Sequence, residues 1–169
     1  MGRWLLVVLM LHVSAPAFAK DLEVGDVPHD YVGRDVDGNK LYLSELKGRV
    51  IVVSFWATWC APCREEMPTL EALASGMEGR GLAVLTIATG RNSPQGITRF
   101  FAEAGVETLP RHTDPGGALA RTMGVMGLPV TLILDPEGRE IARLIGEADW
   151  NAPDAHAILE ALMAGDDPG

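Results

Sequence analysis

The chemistry available to this chain is concentrated in Ser54-Phe55-Trp56-Ala57-Thr58-Trp59-Cys60-Ala61-Pro62-Cys63-Arg64-Glu65-Glu66-Met67-Pro68, which holds its only two cysteines. A thiol is a weak nucleophile and a thiolate a strong one, so the surroundings of the first cysteine decide what the pair can do. The apolar run Val50 to Trp56 reads as a buried strand, and Met67, Leu70, Leu73 and Ala74 repeat at helical spacing across Pro62 to Ala74. Cys60 is therefore expected where a strand hands over to a helix, and the first backbone N–H groups and the helix dipole there favour the thiolate. Cys63, one turn on, can close back onto it.

Other uses of the pair were weighed on residue types. Two further ligands would be needed for zinc, and His29, His112 and His156 stand apart with no short spacing between them. Covalent haem attachment needs histidine at position 64, which is Arg64. A structural disulfide is the plain alternative, but closing so short a loop contributes only about 2 kcal/mol on chain-entropy grounds, against about 4.7 for a loop of a hundred residues. Cys-x-x-Cys inside a βαβ pattern is a redox signal, and redox use is the expectation. Between the cysteines, Ala61 and Pro62 offer no charge or donor to the Cys60 sulfur, while Glu65 and Glu66 oppose the dipole; such a couple leans towards the reducing side. Glu66 alone is most simply a solvated helix charge, and Trp56 and Trp59 are core and rim aromatics.

The elements that must position the pair follow in order. Asp30 to Leu43 contains Asp37-Gly38, a hairpin signal between two short strands, and Ser44 to Gly48 is a single helical turn stopped by glycine. After the strand and the cysteine helix, in which Pro68 is expected to make a kink, Leu82 to Ala88 is a second central strand. A helix is expected over Gln95 to Ala104, then a short strand or extended piece over Glu107 to Thr113. Asp114 is expected to cap a helix over Gly116 to Met123, with Pro115 in its first position. Val130 to Leu134 and Glu140 to Ile145 flank the turn Asp135-Pro136-Glu137-Gly138 and must be antiparallel. A last helix over Ala155 to Met163 starts from Asn151 and Asp154, and residues 165–169 form a frayed tail. A mixed central sheet with helices on both faces is the economical α/β arrangement.

Composition sets the outer limits. The chain has 169 residues, is 47% hydrophobic and carries a formal net charge of −9 with pI near 4.8. That suits one compact domain and disfavours a phosphate backbone, so no nucleic-acid partner is expected. Residues 1–19 combine Arg3, an apolar stretch from Trp4 to Val13 and the small-x-small pattern Ala17-Phe18-Ala19, the arrangement of a secretory signal peptide. An uncleaved membrane anchor is the alternative; the apolar run is shorter than the roughly 20 residues a spanning helix needs. Residues 20–28 are a polar leader, and the folded domain is expected over residues 29–164.

Phe55 to Cys63 resembles the active site of the thioredoxin superfamily. Leu43-Ser44-Glu45-Leu46-Lys47-Gly48, Trp59 to Pro68, Gly127-Leu128-Pro129 and Asp135-Pro136-Glu137-Gly138 extend the likeness to TlpA/ResA-type extracytoplasmic thiol-disulfide reductases across nearly all of Asp26 to Met163, with Gly146-Glu147-Ala148-Asp149-Trp150 most like TlpA. The resemblance implies a thioredoxin-like fold with an added N-terminal β-hairpin. It implies Cys60 as the exposed attacking cysteine, Cys63 as the buried resolving one, and a cis Pro129 facing the disulfide. The Leu128 backbone and Trp59 then meet the client, and no cofactor is required beyond the Cys60–Cys63 disulfide. One departure stands out: the buried aspartate of thioredoxin, six positions before the first cysteine, is Ser54 here, so proton transfer at Cys63 falls to Glu66 on the same helix face. Implied partners are disulfide-bearing exported proteins, apocytochrome c or the copper-site proteins of a respiratory oxidase, and a membrane thiol donor. A copper metallochaperone on the same fold, using the paired cysteines plus a histidine as soft ligands, is the competing function. From the signal-peptide pattern, exported protein is expected to begin at Lys20; intact-mass measurement checks it, and the full chain found in the membrane fraction would establish the anchor instead.

Overall fold

The computed structural model describes residues 31–34 and 40–165. The expected signal peptide, the leader, the Asp37-Gly38 turn and all but the first residue of the expected tail lie outside them. Seven strands form one sheet: β1 (Tyr31–Arg34), β2 (Lys40–Tyr42), β3 (Val50–Trp56), β4 (Leu82–Thr89), β5 (Arg111–Asp114), β6 (Val130–Leu134) and β7 (Glu140–Ile145). Their order across it is β2-β1-β5-β4-β3-β6-β7, with β3, β4 and β5 parallel and β6 and β7 antiparallel. The expected N-terminal hairpin is present, as β1 pairs antiparallel with β2 and adds to the edge at β5. A 3-10 turn over Leu43–Leu46 leads to Gly48, whose positive φ of 86° reverses the chain before β3.

Every residue of β3 is buried, as a strand with helices on both faces must be. Alternation along it divides the core. Val50, Val52 and Trp56 face one cluster with α1 (Ala61–Gly76), α2 (Pro94–Ala104) and α4 (Pro153–Ala164). Ile51, Val53 and Phe55 face the other, with α3 (Ala118–Thr122). Helix α1 buries Cys63, Glu66, Met67, Leu70 and Leu73, an i, i+3, i+4, i+7 stripe that carries the second cysteine and a glutamate into the core. Beneath the start of α1, the Trp56 and Phe100 rings lie 4.4 Å apart between centroids, and the Arg64 guanidinium covers Phe100 at 4.5 Å while pairing with Glu103 at 2.8 Å. A tilted aromatic pair of this kind contributes about 0.5–1.5 kcal/mol beyond its buried area.

Local departures from expectation have local causes. Helix α1 continues past Pro68, the residue expected to kink it, which lies on the exposed side. Strand β5 begins at Arg111 and not at Glu107, because the Glu71 carboxylate accepts from the amides of Glu107, Thr108 and Leu109 and from the Thr108 hydroxyl, leaving these groups no role in a ladder. Asp114 does cap α3, but from a distance: its carboxylate accepts from the Ala118 and Ala120 amides at 3.0 Å, the cap residue is Gly117, and Pro115 lies in the preceding turn. Helix α4 starts at Pro153 after Ala152, with Asp154 in its first turn and no side-chain cap from Asn151.

Burial raises the Glu71 carboxyl, but the donors of Thr108, Glu107 and Leu109 outweigh it and hold the group below the ordinary carboxylate range. A group depressed in the folded state contributes stability above its unfolded pKa and loses it as pH falls through the folded value. Replacing Glu71 by Ala is therefore expected to cost about 1 kcal/mol at neutral pH after allowance for solvent screening. Urea unfolding across pH checks this, and the gap between the two proteins should narrow below about pH 4.5, near the ordinary glutamate value.

Candidate active site

The site begins where β3 ends. The chain turns through Ala57–Cys60, closed by the Cys60 amide donating to the Ala57 carbonyl at 3.1 Å, and Cys60 becomes the N-cap of α1. Its sulfur accepts from the Cys63 backbone N–H at 3.3 Å, placing the negative pole of a future thiolate against the free donors of the first helical turn. Pro62, in the first helical turn, has no amide to leave unsatisfied there. Cys60 and Cys63 are joined as a disulfide with Cα atoms 5.3 Å apart. Cys60 is less exposed than an attacking cysteine was expected to be, at 5% accessible, because in the oxidised state its sulfur is turned towards Cys63; Cys63 is sealed at 1%. Trp59, at 70%, stands out into solvent beside them.

Leu128–Pro129 is a cis peptide, as expected. The β3–β6 ladder ends with Phe55 opposite Val130, so Pro129 lies at the end of β3 from which the cysteine turn departs. Leu128 packs against both core clusters, one of which contains the two cysteines, and Pro129 accepts through its carbonyl from Gly146 at 3.0 Å. Trp59 and the Leu128–Pro129 pair are thus held by two different segments at one end of the sheet.

Glu66 is no solvated helix charge. It is 2% accessible and its Oε1 accepts from the Trp150 indole N–H at 2.6 Å. The segment 146–150 closes over it: the Trp150 amide donates to the Thr69 hydroxyl at 3.0 Å, and that hydroxyl donates to the Glu66 carbonyl at 2.7 Å. Desolvation pushes the carboxyl up to about 7, against the downward pull of the Trp150 indole and the Ala148 backbone, and the Glu147 charge adds to the rise. Three positions along α1 on one face puts its Cβ about 5–6 Å from that of Cys63. The sheet beneath carries no carboxylate at the thioredoxin position. Ser54 is fully buried there, flanked in register by Thr86 and Thr131, and the Ser54 and Thr131 hydroxyls have no protein partner. Sequence reasoning missed Trp150 as the partner of Glu66; the cue was its position at the end of Gly146-Glu147-Ala148-Asp149-Trp150, just before the last helix.

A mixed sheet of this order, with a Cys-x-x-Cys disulfide capping the helix after its central strand and a cis-proline at the same end, defines a thioredoxin-like disulfide oxidoreductase. The chain belongs to the Redoxin family, whose profile matches residues 13–159. It is 30% identical over 132 residues, 77% of this chain and 75% of the relative, to the thiol-disulfide oxidoreductase ResA of Bacillus cereus. Among solved structures it resembles the pneumococcal exposed lipoprotein thioredoxin Etrx1 of Streptococcus pneumoniae, at TM-score 0.64 and 29% identity over 78% of this chain and 96% of that one. The fold is shared with a secreted Mycobacterium tuberculosis disulfide oxidoreductase, at TM-score 0.61 and 20% identity over 80% and 96% of the two chains. The protein is a thiol-disulfide oxidoreductase with Cys60–Cys63 as its redox pair.

Because Glu66 titrates near 7 in the folded protein and near 4.5 when exposed, the folded state holds the extra proton between those values. Stability then falls as pH rises from about 4.5 to about 7, by a total on the order of 1–3 kcal/mol. Glu66→Gln keeps a carbonyl for the Trp150 indole and cannot ionise, so its unfolding free energy, followed by denaturant titration, should lack this decline.

Proposed function

We propose that the protein works outside the cytoplasm as a reductase of disulfides in exported client proteins, with Cys60 as attacking sulfur, Cys63 as resolving sulfur and Glu66 as the proton acceptor. The observation that carries this is the pairing of a sealed Cys63 with a buried carboxyl poised near neutrality, one helical turn away on the same face. In the reduced protein the Cys60 thiolate attacks a client disulfide, forming a mixed disulfide and releasing one client thiolate. Cys63 gives its proton to the Glu66 carboxylate and attacks the Cys60 sulfur. The second client sulfur leaves as a thiolate and takes up that proton. The client has gained two electrons and one proton, and the protein holds the Cys60–Cys63 disulfide until a membrane thiol donor returns two electrons and one proton.

Client binding falls to Trp59, Leu128 and Pro129, whose segments converge on the disulfide: an extended client strand pairs with the Leu128 backbone while its own disulfide meets Cys60. Apocytochrome c and the copper-site proteins of a respiratory oxidase are the client classes proposed, on the likeness to TlpA/ResA-type reductases. Placement outside the cytoplasm is supported by the signal-peptide pattern and by relatives described as secreted or exposed. No helix among the described residues is long and apolar enough to cross a membrane.

Changing Cys63 to Ser removes the expelling step, so exported clients should stay covalently held at Cys60 and come off with reductant. Cys60→Ser should hold few or none, because Cys63 is sealed. Mass spectrometry of the released proteins names the clients. A Cys63 variant that captures nothing, together with tight copper(I) binding lost equally in both variants, would replace the reductase with a metallochaperone.

A further inference from the structure

The turn that delivers Cys60 is tied to the rest of the fold by a side chain that sequence reasoning did not single out. Asn92, in the loop between β4 and α2, accepts through Oδ1 from the Thr58 backbone N–H at 2.8 Å and from the Thr58 hydroxyl at 3.0 Å. Through Nδ2 it donates to the carbonyls of Thr89 at 2.9 Å and Gly90 at 3.4 Å. All four hydrogen-bonding positions of the amide are used. Its orientation is also fixed, since a backbone N–H can only donate and the two strand-end carbonyls can only accept. The amide is thus a brace from the carboxyl end of β4 to a residue two positions ahead of Cys60. Thr58 is seated on the same side, with its methyl 3.7 Å from where a Cβ on Gly96 would stand, in the first turn of α2.

In the oxidised protein the disulfide itself holds Cys60 over the start of α1, and the brace is redundant there. Once the disulfide opens, the Cys60 thiolate keeps its place over the helix amides only if the turn stays in register. Within the turn there is a single backbone bond, from Cys60 to Ala57. Thr58 is the point at which the turn is fastened to a different element.

We propose that Asn92 is a positioning residue that keeps Cys60 seated on the N-terminus of α1 while the disulfide is open, and so sustains its reactivity as the attacking sulfur. This rests on the assignment of Cys60 to that role. Losing the seat forfeits a helix-dipole interaction worth about 0.3–1 kcal/mol, which corresponds to about a two- to fivefold smaller thiolate advantage.

The test uses the reduced full chain. The rate of alkylation by iodoacetamide is followed against pH, with peptide mapping to separate the two sulfurs. Asn92→Ala should move the Cys60 midpoint upwards and slow alkylation at neutral pH by about two- to fivefold. Thr58→Val keeps the backbone bond to Asn92 and should retain the native midpoint. In the native protein, hydrogen exchange at the Thr58 amide should stay slow in both oxidised and reduced states, a measurement that needs no variant to fold. An Asn92→Ala protein that is less stable but has the native midpoint overturns the proposal, as does a Thr58 amide that exchanges freely once the disulfide is reduced. Mapping that finds Cys63 alkylated first in the native protein would instead remove Cys60 from the attacking role, with Thr58 protection still deciding whether Asn92 braces the turn.

Discussion

The arrangement depends on one helix stripe being buried. For Met67, Leu70 and Leu73 to leave water, α1 must lie against the sheet in a single rotational setting. That setting turns Cys63 and Glu66 inward and leaves Pro68, Glu65 and Ala61 outside. Apolar burial at about 25 cal/mol per Å2 is strong enough to impose this even though it desolvates a carboxyl, at a cost that appears as the raised Glu66 pKa. The chemistry of the second sulfur is thus set by packing further along the same helix.

Around that constraint the remaining elements act as fasteners. The 146–150 segment holds Glu66 through Trp150, Glu71 gathers the amides that precede β5, Asp114 collects those of α3, and Asn92 braces the cysteine turn. Each is one polar side chain satisfying several backbone groups or an indole that would otherwise lie unpaired at a loop. Such fasteners hold the irregular connections that carry Thr58, Trp59, Leu128, Pro129 and Trp150 against the helix that carries Cys63 and Glu66.

What was legible in the sequence follows from this division. The strands β3, β6 and β7 fall where their apolar runs and flanking turn residues put them, and the cysteine junction follows from a strand run meeting helical spacing. The cis form of Pro129 was expected from family likeness alone, since a single proline carries no such mark by itself. The long-range polar contacts have no local pattern that pairs them: Glu66 and Trp150 are 84 positions apart, and Thr58 and Asn92 are 34 apart. Nor could the sequence divide Glu107 to Thr113 into its ladder and non-ladder parts, because Glu107 and Thr108 look free for pairing until Glu71 is brought to them.

The hydroxyl row Thr86, Ser54 and Thr131 beneath the cysteines has a consequence for how the site titrates. Neutral groups stand where a second buried acid would have coupled to Glu66. In the oxidised protein Glu66 is the carboxyl buried on the α1 face, and the charge that acts on it comes from Glu147 in the 146–150 segment, not from the sheet beneath. Opening the disulfide places an S–H group, that of Cys63, on the same buried face one turn from the carboxyl.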